Sequence, residues 1–199
     1  MNITIEMIMA LDPCYTQEEI EKLANGREFI DHRALGVLGV PKDDILWLLT
    51  GLMTSPQRIE FDRRCALDVI HLWDAPEIVK QYLETGDVAI RAAARAAARE
   101  EAWASSRDED GASSREEDWA SSLDKPWSAA HAAAWAAARA AAGDESWSAA
   151  RDAAVYAARD AARDAARDET WDEARDAAMA EAWDEANDKY IEWCMEDLD

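Results

Sequence analysis

Forty-three acidic residues against 21 basic ones give this chain of 199 residues a formal net charge of −22. That balance speaks against direct docking on DNA, RNA or anionic lipid, each of which would repel it, and it suits a basic protein partner; a halophilic origin would give a similar composition with no partner at all. The length allows one domain, or one domain with a long appendage, and is enough to bury a real core.

The opening "MNITIEMIMALDPC" has no basic leader, and no uninterrupted apolar run approaches the length of a bilayer span, so the expected location is the cytoplasm. Thr4 is placed to cap a helix over "IEMIMAL", which Asp12-Pro13 ends. Thr16 followed by Glu19 forms a capping box before "IEKLA", closed by Asn25-Gly26. Pro41 suits the first turn of "PKDDILWLLTGLM", with Asp43 and Asp44 at the positive end of the helix dipole. Ser55-Pro56 opens "QRIEFDRRCALDVIHLW", where Ile59, Cys65, Ile70 and Trp73 recur at roughly helical spacing. Ala75-Pro76 starts "EIVKQYLE", which Gly86 ends. Cys14, Cys65 and Cys194 are odd in number and far apart, which predicts reduced, buried thiols rather than a disulfide framework.

Composition changes near residue 90. Residues 1–90 hold 26 of the 30 Ile, Leu and Val, and beyond them only Leu123, Val155, Ile191 and Leu198 remain. We therefore divide the chain into an N-terminal helical module over 1–90 and an Ala/Arg/Asp/Trp-rich region over 91–199.

From Arg91 to Asn187 every fourth residue belongs to one frame, 25 positions in all, which takes in all 11 arginines of the region and seven of its eight tryptophans. Four residues advance about 400° around an α-helix, so the frame drifts about 40° per repeat and no long straight helix keeps it on one face. The frame also runs unbroken through "SSRDEDGASS", "SSLDKP" and "AAGDES", where Ser, Gly and Pro end helices. The period therefore reads as duplication of a twelve-base coding unit, not as a surface selected to read a ligand. What the duplication supplies is helix: Ala has the best propensity, and acid–Arg pairs such as Asp160–Arg163 and Asp164–Arg167 support it. Capping boxes at Ser114–Glu117 and Thr170–Glu173, a start at Asp124 before Pro126 and a stop at Gly143 predict helices near 88–104, 114–122, 125–142, 145–168 and 170–197, with a single helix over 145–197 left open. In the last of these Met179, Trp183, Ala186, Tyr190, Cys194 and Leu198 form a stripe that should dock on the N-terminal module or on a second copy of the chain. The fold class expected is all-α, a compact helical module followed by long antiparallel Ala-rich helices.

No phosphate-binding glycine loop, nucleophile elbow or HExxH occurs. His71 lies six residues after Cys65, which on a helix points the two side chains about 120° apart and is poor for one metal. His131 sits among alanines as a surface or packing residue. No catalytic residue, metal site or cofactor is expected, and the charged faces are most simply solvated surface. Tryptophan is favoured in binding hot spots and also fills the gaps of an alanine-rich bundle, so most of the ten are expected at core or semi-core positions.

The segments "ITIEMIMALDPC", "LWLLTGL" and "FDRRCALDVIHLW", with a long run of "AAARAAAWAAARDAA" type, together resemble immunity proteins of phages and actinobacteria, the immunity-protein-five-like domain. Leu11-Asp12-Pro13-Cys14 and Arg64-Cys65-Ala66 carry the best of that resemblance, which extends over nearly the whole chain. It implies an all-helical protein that neutralises a toxin or defence factor by binding it.

The leading expectation is a non-enzymatic, phage-encoded inhibitor whose acidic surface, richest from Asp160 to Asp197, enters the basic groove of an effector such as a nuclease or CRISPR complex in place of nucleic acid. Its partner-binding carboxylates would be Asp160, Asp164, Asp168, Asp172, Glu173, Asp176, Glu181, Asp184, Glu185 and Asp188, with Trp171, Trp183 and Trp193 as aromatic anchors. Two alternatives belong to other classes. One is a small-molecule sponge for a nucleotide signal, which requires Arg63, Arg64, Arg91, Arg95 and Arg99 to gather into a local basic pocket. The other is a self-assembling structural protein, a homodimer being its simplest form.

Overall fold

The structure, a computed structural model, describes residues 1–100, 129–144, 146–165 and 171–198, with some side chains of 131 and 159–173 left out. Among the described residues the fold is all-α apart from one antiparallel pair of short strands. The chain forms two compact units: Met1–Phe61 with Asn187–Asp199, and Asp62–Ala186.

The first unit begins with β1 (Asn2–Thr4), which pairs antiparallel with β2 (Phe29–Asp31) so that Ile3 faces Ile30. Both isoleucines are buried. Strands of three residues are too short to show a two-residue period, and their pairing partner lies 27 positions away, so the local sequence signals helices only. Between them, α1 (Ile5–Met9) is capped by Thr4, whose hydroxyl accepts from the Met7 N–H. In α2 (Gln17–Ala24) the capping box forms as expected: the Glu19 N–H donates to the Thr16 hydroxyl, and the Glu19 carboxylate accepts from the Thr16 N–H. Those hydrogen bonds hold the Glu19 carboxyl below its ordinary range, the backbone N–H contributing most. Asn25 closes the helix in the left-handed conformation.

A 3-10 helix (His32–Leu38) follows, capped by Asp31, and leads into α3 (Lys42–Leu52). Pro41 is the N-cap residue of α3, one position before the first turn where the sequence placed it. The α3 helix buries Ile45, Leu46, Leu48, Leu49 and Thr50, and the Thr50 hydroxyl donates to the Leu46 carbonyl at 2.8 Å. A helix buried on so much of its circumference is a central core element. The C-terminal end of the last helix belongs to this unit: the Gln57 amide donates to the Asp197 carbonyl, Lys42 pairs with Asp188 at 2.8 Å, and Tyr190 and Cys194 are fully buried. Of the two docking sites expected for the terminal stripe, its last turns therefore take the N-terminal one.

Helix α4 (Ser55–Asp68) ends in a 3-10 turn (Ile70–Leu72). Its buried apolar residues are Phe61, Cys65 and Ala66, followed by Val69, whereas Ile59, Ile70 and Trp73 are only half-buried. In the second unit Arg63, itself buried, donates through Nε and Nη2 to the Leu83 carbonyl at 3.0 and 2.6 Å, satisfying the C-terminus of α5 (Glu77–Thr85). Gly86 ends α5 at φ +66°, and a Cβ there would stand 2.6 Å from Arg63 Nη1. Helical residues 91–100 (α6) follow.

The alanine-rich region folds as a helical hairpin of α7 (Ala129–Ala142) and α8 (Trp147–Ala165), in extensive contact and turned back by the short connection at Gly143. Alanine loses no side-chain entropy on burial and lets helix axes approach closely, which is why α7 buries Ala132, Ala133, Ala134, Ala136, Ala137 and Ala138 in succession. Buried Asp62 anchors the start of α8. Its Oδ1 accepts from the Ser146 N–H at 2.9 Å, and the Ser146 hydroxyl donates to the Asp62 backbone carbonyl at 2.7 Å. The final helix, α9, spans Trp171–Leu198.

The helices expected near 125–142, 145–168 and 170–197 correspond to α7, α8 and α9, and that near 88–104 to α6. The helix over 114–122, the starts at Ser114, Asp124 and Thr170, and the join between α8 and α9 at 166–170 lie outside the described residues. The expectation of three buried thiols needs correction: Cys65 and Cys194 are buried, but Cys14 is exposed in the turn after α1.

Candidate functional site

Among the described residues, two surfaces concentrate charged side chains. The first is the acidic face of α9. At about 100° per residue, Ala186, Asn187, Tyr190 and Cys194 occupy an arc of about 100°, and Glu181, Asp184, Glu185 and Asp188 occupy a similar arc roughly opposite. The first four are buried and the second four exposed. Asp188 is held by Lys42. Asp176 lies off this arc, exposed, with its Oδ1 2.9 Å from both Nε and Nη2 of Arg175. The side chains of Asp160, Asp164, Asp168, Asp172, Glu173 and Trp171 lie outside the described part of the chain, as does that of His131.

The other two aromatic anchors have neighbours of their own. The guanidinium of buried Arg151 stacks 3.5 Å from the Trp183 ring centroid and 5.1 Å from that of Trp147, while 36% of Trp183 remains exposed. Half-buried Trp193 lies against Tyr190 with ring centroids 5.5 Å apart. Among the six tryptophans whose side chains are described, Trp147 is buried, Trp183 exposed and the other four half-buried.

The second surface is a groove between α6 and α7, lined by arginine. Over only nine residues the tetrad frame drifts about 80°, so Arg91, Arg95 and Arg99 share one side of α6 and form a row about 12 Å long. Arg91 is fixed in place: its Nε donates to the Ala141 carbonyl at 2.8 Å, near the negative end of α7. Gly143, at φ +79°, makes room for it, since a Cβ there would lie 2.5 Å from Arg91 Nη2. Beside this row opens a cavity of about 600 Å³ with Ala92, Ala96, Ala141 and Ala142 among its walls. A second hollow of about 190 Å³ continues from Arg95 and Arg99 to Trp135, Arg139 and Asp144.

Of the five arginines that a basic pocket would have required, Arg91, Arg95 and Arg99 gather here, while Arg63 is committed to the Leu83 carbonyl. Sequence reasoning missed Trp135 and Arg139. The signal was present, since both belong to the same frame one turn apart, but which helix faces α6 is a tertiary fact.

Two further groups bear on chemistry. Tyr15 donates to Asp44 Oδ2 at 2.5 Å, and this bond to a carboxylate pushes its hydroxyl up to about 12. Cys65 is buried and His71 exposed, and among the described residues no group of three or more His, Cys, Asp or Glu is placed to hold a metal ion. No helix of the described residues is long and apolar enough to cross a membrane. Comparison with known proteins finds no matching family model, no matching curated protein and no matching solved structure.

Proposed function

We propose that the protein is a non-enzymatic binding protein whose acidic helical surface occupies the basic groove of another protein in place of nucleic acid. The observation that carries this reading is the α9 arc on which Glu181, Asp184 and Glu185 stand exposed, opposite the buried side of the same helix, in a chain of net charge −22. A carboxylate row on a rigid helix is pre-organised to meet Lys and Arg, and the long-range field speeds the encounter. The sequence resemblance to phage and actinobacterial immunity proteins supplies the class of partner: a toxin or defence effector in the bacterial cytoplasm, such as a nuclease or a CRISPR complex.

The test is a pull-down from host lysate, followed by association kinetics on the captured protein across a salt series. An association rate that falls steeply as salt rises, and falls again when Glu181, Asp184 and Glu185 are replaced by Gln, Asn and Gln, supports the reading. Binding that stays constant from low to high salt refutes it.

A further inference from the structure

We propose that the arginine groove between α6 and α7 is a binding site for a nucleoside polyphosphate. It uses residues separate from the α9 carboxylates, so it stands or falls independently of the acidic-surface reading.

Three features select the ligand class. The row of Arg91, Arg95 and Arg99 offers planar forks along about 12 Å, which suits several oxyanions on one extended skeleton better than a lone phosphate. A guanidinium has five donors, so bonds made within the protein, such as that from Arg91 Nε to Ala141, orient the group and leave donors for a ligand. The hollow beyond Arg95 and Arg99 has Trp135 among its walls beside small Ala138 and Ala142, which places an aromatic side chain at the far end of the arginine row. A ligand with several phosphates at one end and a planar ring at the other meets both halves. The outer hollow, about 600 Å³ and open to solvent, leaves the charged end of such a ligand accessible from water.

Charge separates this ligand from a nucleic acid strand. A long polyanion would have to cross the field of a chain carrying −22, whereas a ligand of a few charges lies almost wholly within a Debye length, about 8 Å at physiological salt, of the arginines that hold it. Asp144, at the Arg139 end of the hollow, repels phosphate there and so directs the phosphates toward Arg91 and Arg95.

The experiment is isothermal titration calorimetry on the full chain in magnesium-free buffer, with ATP, GTP, AMP and inorganic tripolyphosphate as probes, alongside thermal denaturation. The expected result is that ATP or GTP binds at least about 10-fold more tightly than AMP or tripolyphosphate, and raises the melting temperature by roughly 5 °C or more at about 100 times its Kd. Arg95→Ala, at an exposed position, should leave the unliganded melting temperature within about 2 °C of the parent and weaken binding about 10-fold or more, with partial recovery in Arg95→Lys. Trp135→Leu should reduce nucleotide affinity to that of tripolyphosphate, and the quenching of indole fluorescence seen on titrating the unaltered chain should be lost in this variant. The proposal is overturned by an absence of heat and of thermal shift with both nucleotides up to about 1 mM, by unchanged affinity in Arg95→Ala, or by tripolyphosphate binding as tightly as ATP.

Discussion

Removing the Asp62 carboxylate should destabilise the second unit more than any single change on the protein's surface. Asp62 is 1% exposed and Ser146 fully buried, so neither can turn to water when its partner is lost. The Ser146 carbonyl accepts from the Ala150 N–H and so begins α8, which places the Asp62 carboxylate at the positive end of that helix. A hydrogen bond to a charged group contributes about 1.5–3 kcal/mol, and an anion at a helix N-terminus adds about 0.3–1 kcal/mol. Asp62→Ala should therefore cost about 2–4 kcal/mol, lowering the melting temperature of a chain this size by roughly 4–16 °C. Asp62→Asn keeps an acceptor for the Ser146 N–H and should cost about half as much. Circular dichroism melts and urea titrations of Asp62→Ala and Asp62→Asn measure the two costs. A melting temperature for Asp62→Ala within about 1 °C of the parent would refute the reasoning.

Further outcomes follow from particular residues. Gly86→Ala must adopt a left-handed backbone and displace Arg63 from the Leu83 carbonyl, for a cost of about 2–4 kcal/mol, whereas Gly26→Ala, at φ +73° with nothing within 4 Å of its added Cβ, should cost only about 1 kcal/mol; urea denaturation measures both. Absorbance titration should show Tyr15 ionising near 12, and Asp44→Asn should bring it back toward 10. Because the folded value lies above the unfolded one, the stability from this bond is fully present below pH about 10 and is lost as pH rises toward 12. A thiol reagent applied to the folded protein should label Cys14 promptly and reach Cys65 and Cys194 only on unfolding, as peptide mass mapping would show.

Local chemistry was readable from the sequence wherever a few neighbouring residues decide the outcome. The Thr16–Glu19 capping box, the Asn25 stop, the α5 helix between Pro76 and Gly86, and the turn at Gly143 depend on hydrogen bonds and backbone angles within about four positions. The all-α class followed from the same cues together with the alanine content. For the candidate site, the exposed placement of Glu181, Asp184 and Glu185 was also legible, since helical periodicity fixes which side a residue takes once one side is buried.

Everything that depends on distant partners was decided by the tertiary structure. Ile3 meets Ile30, Asp62 meets Ser146 and Arg91 meets Ala141 across separations of 27, 84 and 50 positions, and no local propensity encodes which of many equivalent residues will be chosen. The change in composition near residue 90 marks where branched aliphatic side chains give way to alanine, and it lies inside the second compact unit. The tetrad frame shows the division most clearly. By sequence alone it drifts around a helix and points nowhere in particular, but over the ten described residues of α6 the drift is small enough to keep three arginines on one side. An open hollow lies beside them, with Ala141 and Ala142 of α7 on its other side.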